Sequence, residues 1–181
     1  QKRSSLIEVS EQGAQVLGGV RNLQVDGNGS NQSSGSCIRI QSGNRVSIID
    51  CLVTDAKQHG IYIEGVSGSY RSDYALVQGC WVYLNLGHGV FCESEASTMS
   101  LIGNWISDNG AVGSAYDNVN FTNIGEGLIC SNHIWQGKRH NIMLTGGGGP
   151  TIIVGNTLNT PQRSNIVNSA NTGMVCSGNS F

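Results

Sequence analysis

The sequence predicts an all-β fold, a parallel β-solenoid with three short strands per turn. A bend centred on Cys or Asn recurs at intervals of 23 to 29 residues, and short apolar runs surround every copy. The composition, with 26 Gly, 2 Pro and 12% charged residues, suits strands joined by tight turns rather than helical bundles. Three short strands cannot bury a core alone, so successive copies must stack on one another.

The bend residues align into one column. Its members are Cys51, Cys80, Asn104, Asn132, Asn156 and Asn179. Asn22 is an earlier candidate, although its following strand is offset by one residue. We expect the asparagine amides to hydrogen-bond from turn to turn, with Cys51 and Cys80 as apolar substitutes in the same column.

The third strand of each copy alternates apolar and polar residues, so one face is buried and the other faces outward. Its copies are 38–40, 61–63, 90–92, 119–121, 142–144 and 166–168. Equivalent residues should stand in columns along the axis, with turns about 4.8 Å apart. This register predicts about six turns joined by an Asn/Cys bend ladder.

Several motifs resemble a known family. The xGN bend, the inward Ile/Val triplets and HGIYI at 59–63 resemble the right-handed parallel β-helix of the pectate-lyase-like superfamily, from about Gly19 to Phe181. The stretch GGVRNLQVDGNGSNQSSGSCIRI is similar to the early turns of bacteriophage tailspikes and of secreted polysaccharide lyases and epimerases. The resemblance implies a homotrimer located in the virion tail or outside the cell, with a bacterial surface polysaccharide as its partner. The DPHE motif of alginate epimerases and the Asp cluster of the pectate-lyase calcium site are absent from the sequence.

Composition and the chain ends indicate how the domain is organised and which kinds of partner are not expected. The chain begins without a capping helix and stops part-way round a turn, so we expect one β-helix domain over 1–181 that is a segment of a longer chain. With 10 Lys and Arg against 12 Asp and Glu there is no basic stripe, which disfavours nucleic-acid binding. No apolar run approaches the roughly 18 residues of a membrane-spanning helix, so membrane insertion is not expected. The six cysteines form no CxxC pair, and we expect them to be reduced and buried.

One outward column of the third strand contains Glu64 and Glu93, one turn apart. Two carboxylates within roughly 5–9 Å are what glycoside hydrolysis needs, because one protonates the leaving oxygen and the other activates water or attacks the sugar. Their mutual repulsion would keep a proton on one of them. Asp73 and Glu95 are reserve candidates. The alternative is a pair of solvated glutamates near the cationic side chains Arg39, Arg71 and Lys57.

The neighbouring outward column places Tyr62 and Phe91 one turn apart, beside Arg39. Sugar rings stack on exposed aromatic rings, so we expect these side chains to bind the saccharide together with Arg71 from the following loop. The alternative is that the loop 65–74 folds over the aromatic pair and covers it.

Two further sets of apolar side chains face outward. Trp81 and Trp105 align on the second strand, which suggests either glycan stacking or a contact between subunits. The first strand adds an apolar stripe formed by Leu76, Leu128, Ile152 and Val175. We interpret the stripe as a packing surface for a neighbouring subunit or for chain outside the sequence.

A column just before the third strand contains His59, His88, Asp117 and His140. A pair formed by His88 and Asp117, or a histidine beside Tyr62, could act in acid–base chemistry. The alternative is a set of hydrogen-bonded turn residues. A linear column spreads the three histidines too widely for one tetrahedral metal site, so neither a metal nor another cofactor is expected.

These columns predict a protein that binds and depolymerises a bacterial surface polysaccharide. Hydrolysis would use Glu64 and Glu93, whereas a lyase would need a His or Tyr base. The competing class is a non-catalytic adhesin or structural spike. A secreted lyase of the pectate or alginate type is a further alternative.

Overall fold

The computed structural model of the chain describes residues 5–10, 18–65, 72–93, 96–111, 115–169 and 173–181. Over these ranges the backbone forms a right-handed parallel β-helix without an α-helix, which confirms the predicted fold class. In the same ranges, no helix has the length and apolar character needed to cross a membrane.

Three parallel sheets run along the axis, and their strands are numbered along the chain. Sheet A consists of β1 (Ser5–Ser10), β4 (Ser36–Gln41), β7 (Ile61–Glu64), β10 (Val90–Glu93), β13 (Val119–Thr122), β16 (His140–Thr145) and β19 (Ser164–Ser169). Sheet B consists of β2 (Gly18–Arg21), β5 (Val46–Ile49), β8 (Ala75–Gln78), β11 (Thr98–Ile102), β14 (Glu126–Cys130), β17 (Pro150–Val154) and β20 (Gly173–Ser177). Sheet C consists of β3 (Gln24–Asp26), β6 (Leu52–Thr54), β9 (Trp81–Tyr83), β12 (Trp105–Ser107), β15 (His133–Trp135) and β18 (Thr157–Asn159). A 3-10 turn, Gly29–Asn31, lies between β3 and β4.

The core lies inside the coil and follows the predicted alternation. In β7, Ile61 and Ile63 are fully buried, whereas Tyr62 and Glu64 are partly exposed. Ile61 pairs with Val90 of the next turn, so the inward residues stack as continuous columns. Burying an aliphatic side chain of this kind contributes roughly 1.5–3 kcal/mol. The stacked core therefore holds every strand in register, and the register fixes which side chains face outward.

The bend between sheets B and C carries the predicted bend ladder, formed by Asn104, Asn132, Asn156 and Asn179. Each side-chain amide donates to the amide oxygen of the next member over 2.9 Å. Each of those oxygens also accepts the main-chain N–H of the preceding member at 2.9–3.0 Å. The amide of Asn104 donates in addition to the Val77 carbonyl at 2.9 Å. The ladder thereby satisfies polar groups that would otherwise be buried without partners.

Two cysteines extend the column, as predicted. The Cys80 thiol lies 3.5 Å from the Ile48 carbonyl, and the Cys51 thiol lies 3.6 Å from the Val20 carbonyl. These carbonyls are equivalent to the one that accepts the amide of Asn104, so the thiols act as weak donors in place of an amide. The prediction that these two residues are merely apolar was therefore incomplete.

Asn22 does not join the bend ladder. The main-chain N–H of Leu52 donates to the Leu23 carbonyl, which places Leu23 at the bend position. Asn22 lies one residue earlier, with φ 53°, and corresponds to Asp50, with φ 52°. The offset noted in the sequence is therefore real, and it moves the asparagine out of the column.

The remaining cysteines divide into two groups. Cys37 and Cys92 are buried, and burial raises the pKa of the Cys37 thiol to about 12. Cys130 is only partly buried because it faces outward from sheet B, and Cys176 is exposed. The prediction of uniformly buried cysteines is therefore wrong for these last two residues.

A second asparagine ladder, which was not predicted, lines the corner between sheets C and A. Its members, linked by amide hydrogen bonds of 2.7–2.9 Å, are Asn85, Asn109, Asn118, Asn141 and Asn165. The first two members come from the loops after β9 and β12. Glycines make room for them, because a Cβ on Gly60 would lie 2.6 Å from the Asn85 amide nitrogen and one on Gly89 would lie 2.5 Å from that of Asn109.

Candidate functional site

The candidate site lies on the outer face of sheet A. Tyr62 pairs with Phe91, and Glu64 pairs with Glu93, in the parallel register of β7 and β10. On the other side of β7, Arg39 pairs with Tyr62 in the register of β4 and β7. Both predicted outward columns therefore exist, and they bring the two glutamates to neighbouring positions.

Glu64 is held by three side chains. The Arg39 Nε donates to Glu64 Oε1 at 2.7 Å, and an Arg39 Nη donates to the same oxygen. The Gln41 amide adds a hydrogen bond of 3.2 Å to that oxygen. The second carboxylate oxygen of Glu64 accepts the Tyr62 hydroxyl at 2.6 Å. These hydrogen bonds, two of them from the Arg39 guanidinium, fix the orientation of the Glu64 side chain, of which 14% remains exposed.

The hydroxyl of Tyr62 bridges the two glutamates. It contacts Oε2 of Glu64 and also Oε1 of Glu93. Two carboxylates that touch one phenolic oxygen have their nearest oxygens within about 5 Å, the short end of the separations used by glycosidases. The structure thus brings the predicted pair together, and Tyr62 joins them in a way that the register alone does not show.

The phenol of Tyr62 has one proton, which it donates to one carboxylate oxygen at a time. Burial, and then the hydrogen bonds to the two glutamates, raise the pKa of Tyr62 above its usual range. Tyr62 therefore keeps its proton and is the hydrogen-bond donor that joins the two glutamates.

The ring faces of Tyr62 are occupied. Its ring stacks on Phe91 with centroids 5.4 Å apart and planes 9° apart. The guanidinium carbon of Arg39 lies over the ring, 5.7 Å from its centroid. The rings thus pack on their neighbours along the axis, so a sugar would meet the edge and hydroxyl of Tyr62 rather than an open ring face.

His59 and His88 border this cluster. Their rings stack with centroids 5.2 Å apart, and each lies 4.8 Å from the Phe91 ring. The Nδ1 of His59 accepts the main-chain N–H of His88 at 3.1 Å, and the Nδ1 of His88 accepts that of Asp117 at 2.9 Å. The two histidines are therefore hydrogen-bonded turn residues, the alternative that the sequence left open.

Asp117 binds a cation rather than the imidazole of His88. Its carboxylate is fully buried, accepts Arg139 Nε at 2.7 Å and also contacts an Arg139 Nη. The Asn120 amide donates to the same carboxylate at 3.0 Å. The His88 Nδ1 lies 3.7 Å from it and is already occupied by the main-chain N–H. A catalytic His–Asp pair is not formed in this geometry, and His140 lies one turn further along the same column.

The predicted tryptophans lie on a different sheet. Trp81 and Trp105 are paired on sheet C, with ring centroids 5.7 Å apart, and Trp81 is 56% exposed. Glu64 and Glu93 are on sheet A, so the tryptophans do not line the same face as the carboxylates. Their predicted role in glycan stacking or in a contact between subunits stays a prediction.

Of the reserve catalytic candidates Asp73 and Glu95, only Asp73 lies within the described residues. Asp73 lies in the turn before β8, and its Oδ1 is buried without a hydrogen-bond partner in the described part of the chain. It is thus apart from the outer face of sheet A. Arg71 and Glu95, and most of the loop predicted to cover the aromatic pair, lie outside the described residues.

The apolar stripe on sheet B faces outward as predicted. Leu76 and Leu128 are partly exposed, Ile152 is 42% exposed and Val175 is 55% exposed.

Within the described ranges, no group of three or more His, Cys, Asp or Glu side chains is arranged to hold a metal ion.

Sequence reasoning missed two contributors to the site. Gln41 lies in the same outward column as Glu64, so its amide could have been predicted from the register to hydrogen-bond to the Glu64 carboxylate. Tyr116 precedes β13, is 40% exposed, and meets the His88 ring edge-on at 5.0 Å. No pattern in the sequence indicates this contact, because the loop before β13 differs in length from its neighbours.

Comparison with known proteins gives one match. The family model described as a right handed beta helix region matches residues 2–123. No curated protein and no solved structure matches the chain.

Proposed function

The chain belongs to the right-handed β-helix family, and we propose that it binds and hydrolyses a bacterial surface polysaccharide along the outer face of sheet A. The observation that carries the proposal is the Tyr62 hydroxyl shared by Glu64 and Glu93. It holds two carboxyl groups at the spacing that glycoside hydrolysis uses, and it gives them different surroundings.

Glu93 is the general acid in this proposal. Among the described residues, Arg39 binds Glu64 and no cation contacts Glu93, and a protonated Glu93 would keep its contact with Tyr62 by donating to the hydroxyl oxygen. In the first step that proton passes to the glycosidic oxygen as the bond from this oxygen to the anomeric carbon breaks. The leaving sugar departs as an alcohol, and Glu93 becomes a carboxylate.

Glu64 is the nucleophile. Nearest oxygens within about 5 Å fit the spacing of retaining glycosidases, about 5–5.5 Å, and leave no room for the water that an inverting enzyme places between its carboxyl groups. A Glu64 oxygen therefore bonds to the anomeric carbon. Glu93 then removes a proton from water, the water oxygen bonds to that carbon, and the bond to Glu64 breaks. Arg39 orients the Glu64 carboxylate throughout.

A lyase is less consistent with the same contacts. A lyase needs a base and a cation that neutralises the sugar carboxylate. The pKa of Tyr62 is raised by burial, so its phenol remains protonated, and the Nδ1 atoms of His59 and His88 already accept main-chain N–H groups. Arg39 is engaged by Glu64. These contacts favour hydrolysis over elimination.

The competing proposal is a non-catalytic adhesin or spike. It is favoured by the contacts of Glu64, which also describe a polar cluster that stabilises neighbouring turns. The outward apolar stripe of sheet B would then serve a homotrimer in a virion tail or another extracellular assembly. Analytical ultracentrifugation of the wild type and of Ile152→Asp tests the oligomer, since a trimer built on the stripe would dissociate in the variant.

The test of hydrolysis uses a panel of bacterial capsular, O-antigen and exopolysaccharides. New reducing ends without the ultraviolet absorbance of an unsaturated uronide support hydrolysis, and both signals together support a lyase. Glu93→Gln should lower the rate by about 10²–10⁴-fold, the range for loss of general acid catalysis. Glu126→Gln is the matched control, because Glu126 is an exposed glutamate on sheet B. Binding without cleavage would favour the adhesin.

A further inference from the structure

A pair of histidines flanks the proposed catalytic cluster on the same side of the β-helix. His59 precedes β7 and His88 precedes β10, and their stacked rings, 19° from parallel, are one turn apart. The His59 ring lies 5.4 Å from the Tyr62 ring, and both imidazoles lie 4.8 Å from the Phe91 ring. The two imidazoles therefore pack against the aromatic rings of the proposed catalytic cluster.

The main chain fixes the tautomer of both rings. Each Nδ1 accepts a main-chain N–H from the next turn, at 3.1 Å for His59 and 2.9 Å for His88. A ring nitrogen that accepts an N–H cannot itself carry the proton, so the proton of a neutral ring must be on Nε2. The repeat thus presents two Nε2–H donors one turn apart.

Both rings are neutral. Burial, followed by the neighbouring His88, lowers the pKa of His59 to about 3. Burial, followed by Arg139, lowers the pKa of His88 to about 3, against the opposing hydrogen bond from Asp117. Neither ring is therefore a general acid at neutral pH, and the reserve catalytic role predicted for them does not fit these surroundings.

The two rings differ in exposure, because His59 is partly exposed whereas only 6% of His88 is exposed. In the described part of the chain no group accepts a hydrogen bond from either atom, and neither is among the buried polar atoms that lack partners. Nε2 lies at the end of the ring furthest from the main chain. The Tyr116 ring meets both imidazoles edge-on, with ring centroids 6.0 Å from His59 and 5.0 Å from His88. Tyr116 is 40% exposed, so a partly exposed aromatic ring lies beside the two histidines.

We propose that His59 and His88 form a sugar-binding subsite beside the Glu64–Glu93 pair. Their Nε2–H groups donate to hydroxyl or ring oxygens of a saccharide unit next to the one that is cleaved, and Tyr116 bounds that unit. The subsite rests on the proposed function, and it makes the two histidines positioning residues for substrate. Neutral N–H donors suit the uncharged oxygens that every sugar unit offers.

His59→Asn and His88→Asn test the subsite. The side-chain oxygen of Asn can take the place of Nδ1 and accept the main-chain N–H, but the outward donor is lost. The binding probe is an array of bacterial capsular, O-antigen and exopolysaccharides, followed by kinetics on a glycan that the wild type binds. Each variant should bind about 3- to 10-fold more weakly, as for loss of one hydrogen bond, and should raise KM with little change in kcat. His88→Leu, which also removes the acceptor, should lower Tm.

The matched control is His133→Asn, since His133 stacks on Trp105 of sheet C at 4.4 Å, away from the carboxylates. Wild-type affinity in both His59→Asn and His88→Asn overturns the subsite and leaves the hydrolysis proposal standing. A wild type that binds no array glycan and releases no reducing ends overturns both. Independently, ¹⁵N spectra of the imidazoles should show the Nε2–H tautomer unchanged from about pH 5 to pH 8, and a charged ring or an Nδ1–H tautomer near pH 6 would contradict the subsite.

Discussion

Replacing Asn132 by alanine would cut the bend ladder at its centre. Asn132 is 2% exposed, and its oxygen accepts both the main-chain N–H and the side-chain amide of Asn104 at 2.9 Å. Its own amide donates to the Leu101 carbonyl at 2.8 Å and to the side-chain oxygen of Asn156 at 2.9 Å. Alanine removes all four of these hydrogen bonds from a buried site.

The cost follows from the groups left without partners. The main-chain N–H of Asn104 loses its acceptor, whereas the Leu101 carbonyl loses one donor but still lies in the pairing of β11 with β14, and the amide of Asn104 keeps its bond to Val77. An unsatisfied buried group costs about 1–3 kcal/mol and the other lost hydrogen bonds add about 1 kcal/mol, so the free energy of unfolding should fall by about 2–4 kcal/mol. That is a large share of the roughly 5–15 kcal/mol available to a typical domain.

Equilibrium unfolding in urea, followed by tryptophan fluorescence, measures the loss. Asn132→Cys is the matched control, because Cys80 shows that a thiol at this position can still donate to a strand carbonyl. The cysteine variant should lose less stability than the alanine variant, since its thiol still donates to the Leu101 carbonyl. A loss below about 1 kcal/mol for Asn132→Ala would refute the view that the ladder satisfies buried polar groups.

Three further predictions address other parts of the fold. Gly89→Ala should destabilise the protein by about 1–3 kcal/mol, because the new Cβ would lie 2.5 Å from the amide nitrogen of Asn109. The control is Gly148→Ala, where the new Cβ meets nothing within 4 Å, and its free energy of unfolding in the same urea titration should be close to that of the wild type. Cys80→Asn should raise Tm, since a full amide would replace a weak thiol donor in the bend ladder, and an unchanged or lower Tm would contradict this. The folded-state pKa of His88, about 3, is below its unfolded value of 6.5, so the unfolded chain takes up the proton first and stability falls as pH falls below about 6.5. His88→Asn should therefore lose up to about 2 kcal/mol less than the wild type between pH 7 and pH 5, and parallel curves would argue against a neutral buried imidazole.

Most of the fold could be predicted because a parallel coil converts sequence spacing directly into register. Once Cys51 and Cys80 are aligned, the pairing of Tyr62 with Phe91 and of Glu64 with Glu93 follows from counting along alternating strands. Asn22 is the exception, because its turn has a different spacing and the alignment slips by one residue.

The site was less predictable because side-chain direction depends on contacts across turns. The outward position of Tyr62 was predicted, but its packing between Arg39 and Phe91 was not, and that packing removes its ring faces from solvent. The second asparagine ladder was missed because Asn109 follows β12 whereas Asn118, the next member of the ladder, immediately precedes β13. Spacing alone cannot align residues that arrive at one column from different elements.

The most direct test of the central claim is the anomeric configuration of the first product, recorded by ¹H NMR during hydrolysis of a polysaccharide that the protein cleaves. With carboxyl oxygens of Glu64 and Glu93 within about 5 Å through the hydroxyl of Tyr62, the product should retain the configuration of the cleaved bond. An inverted product, or retained product formed at the wild-type rate by both Glu64→Gln and Glu93→Gln, would contradict the account.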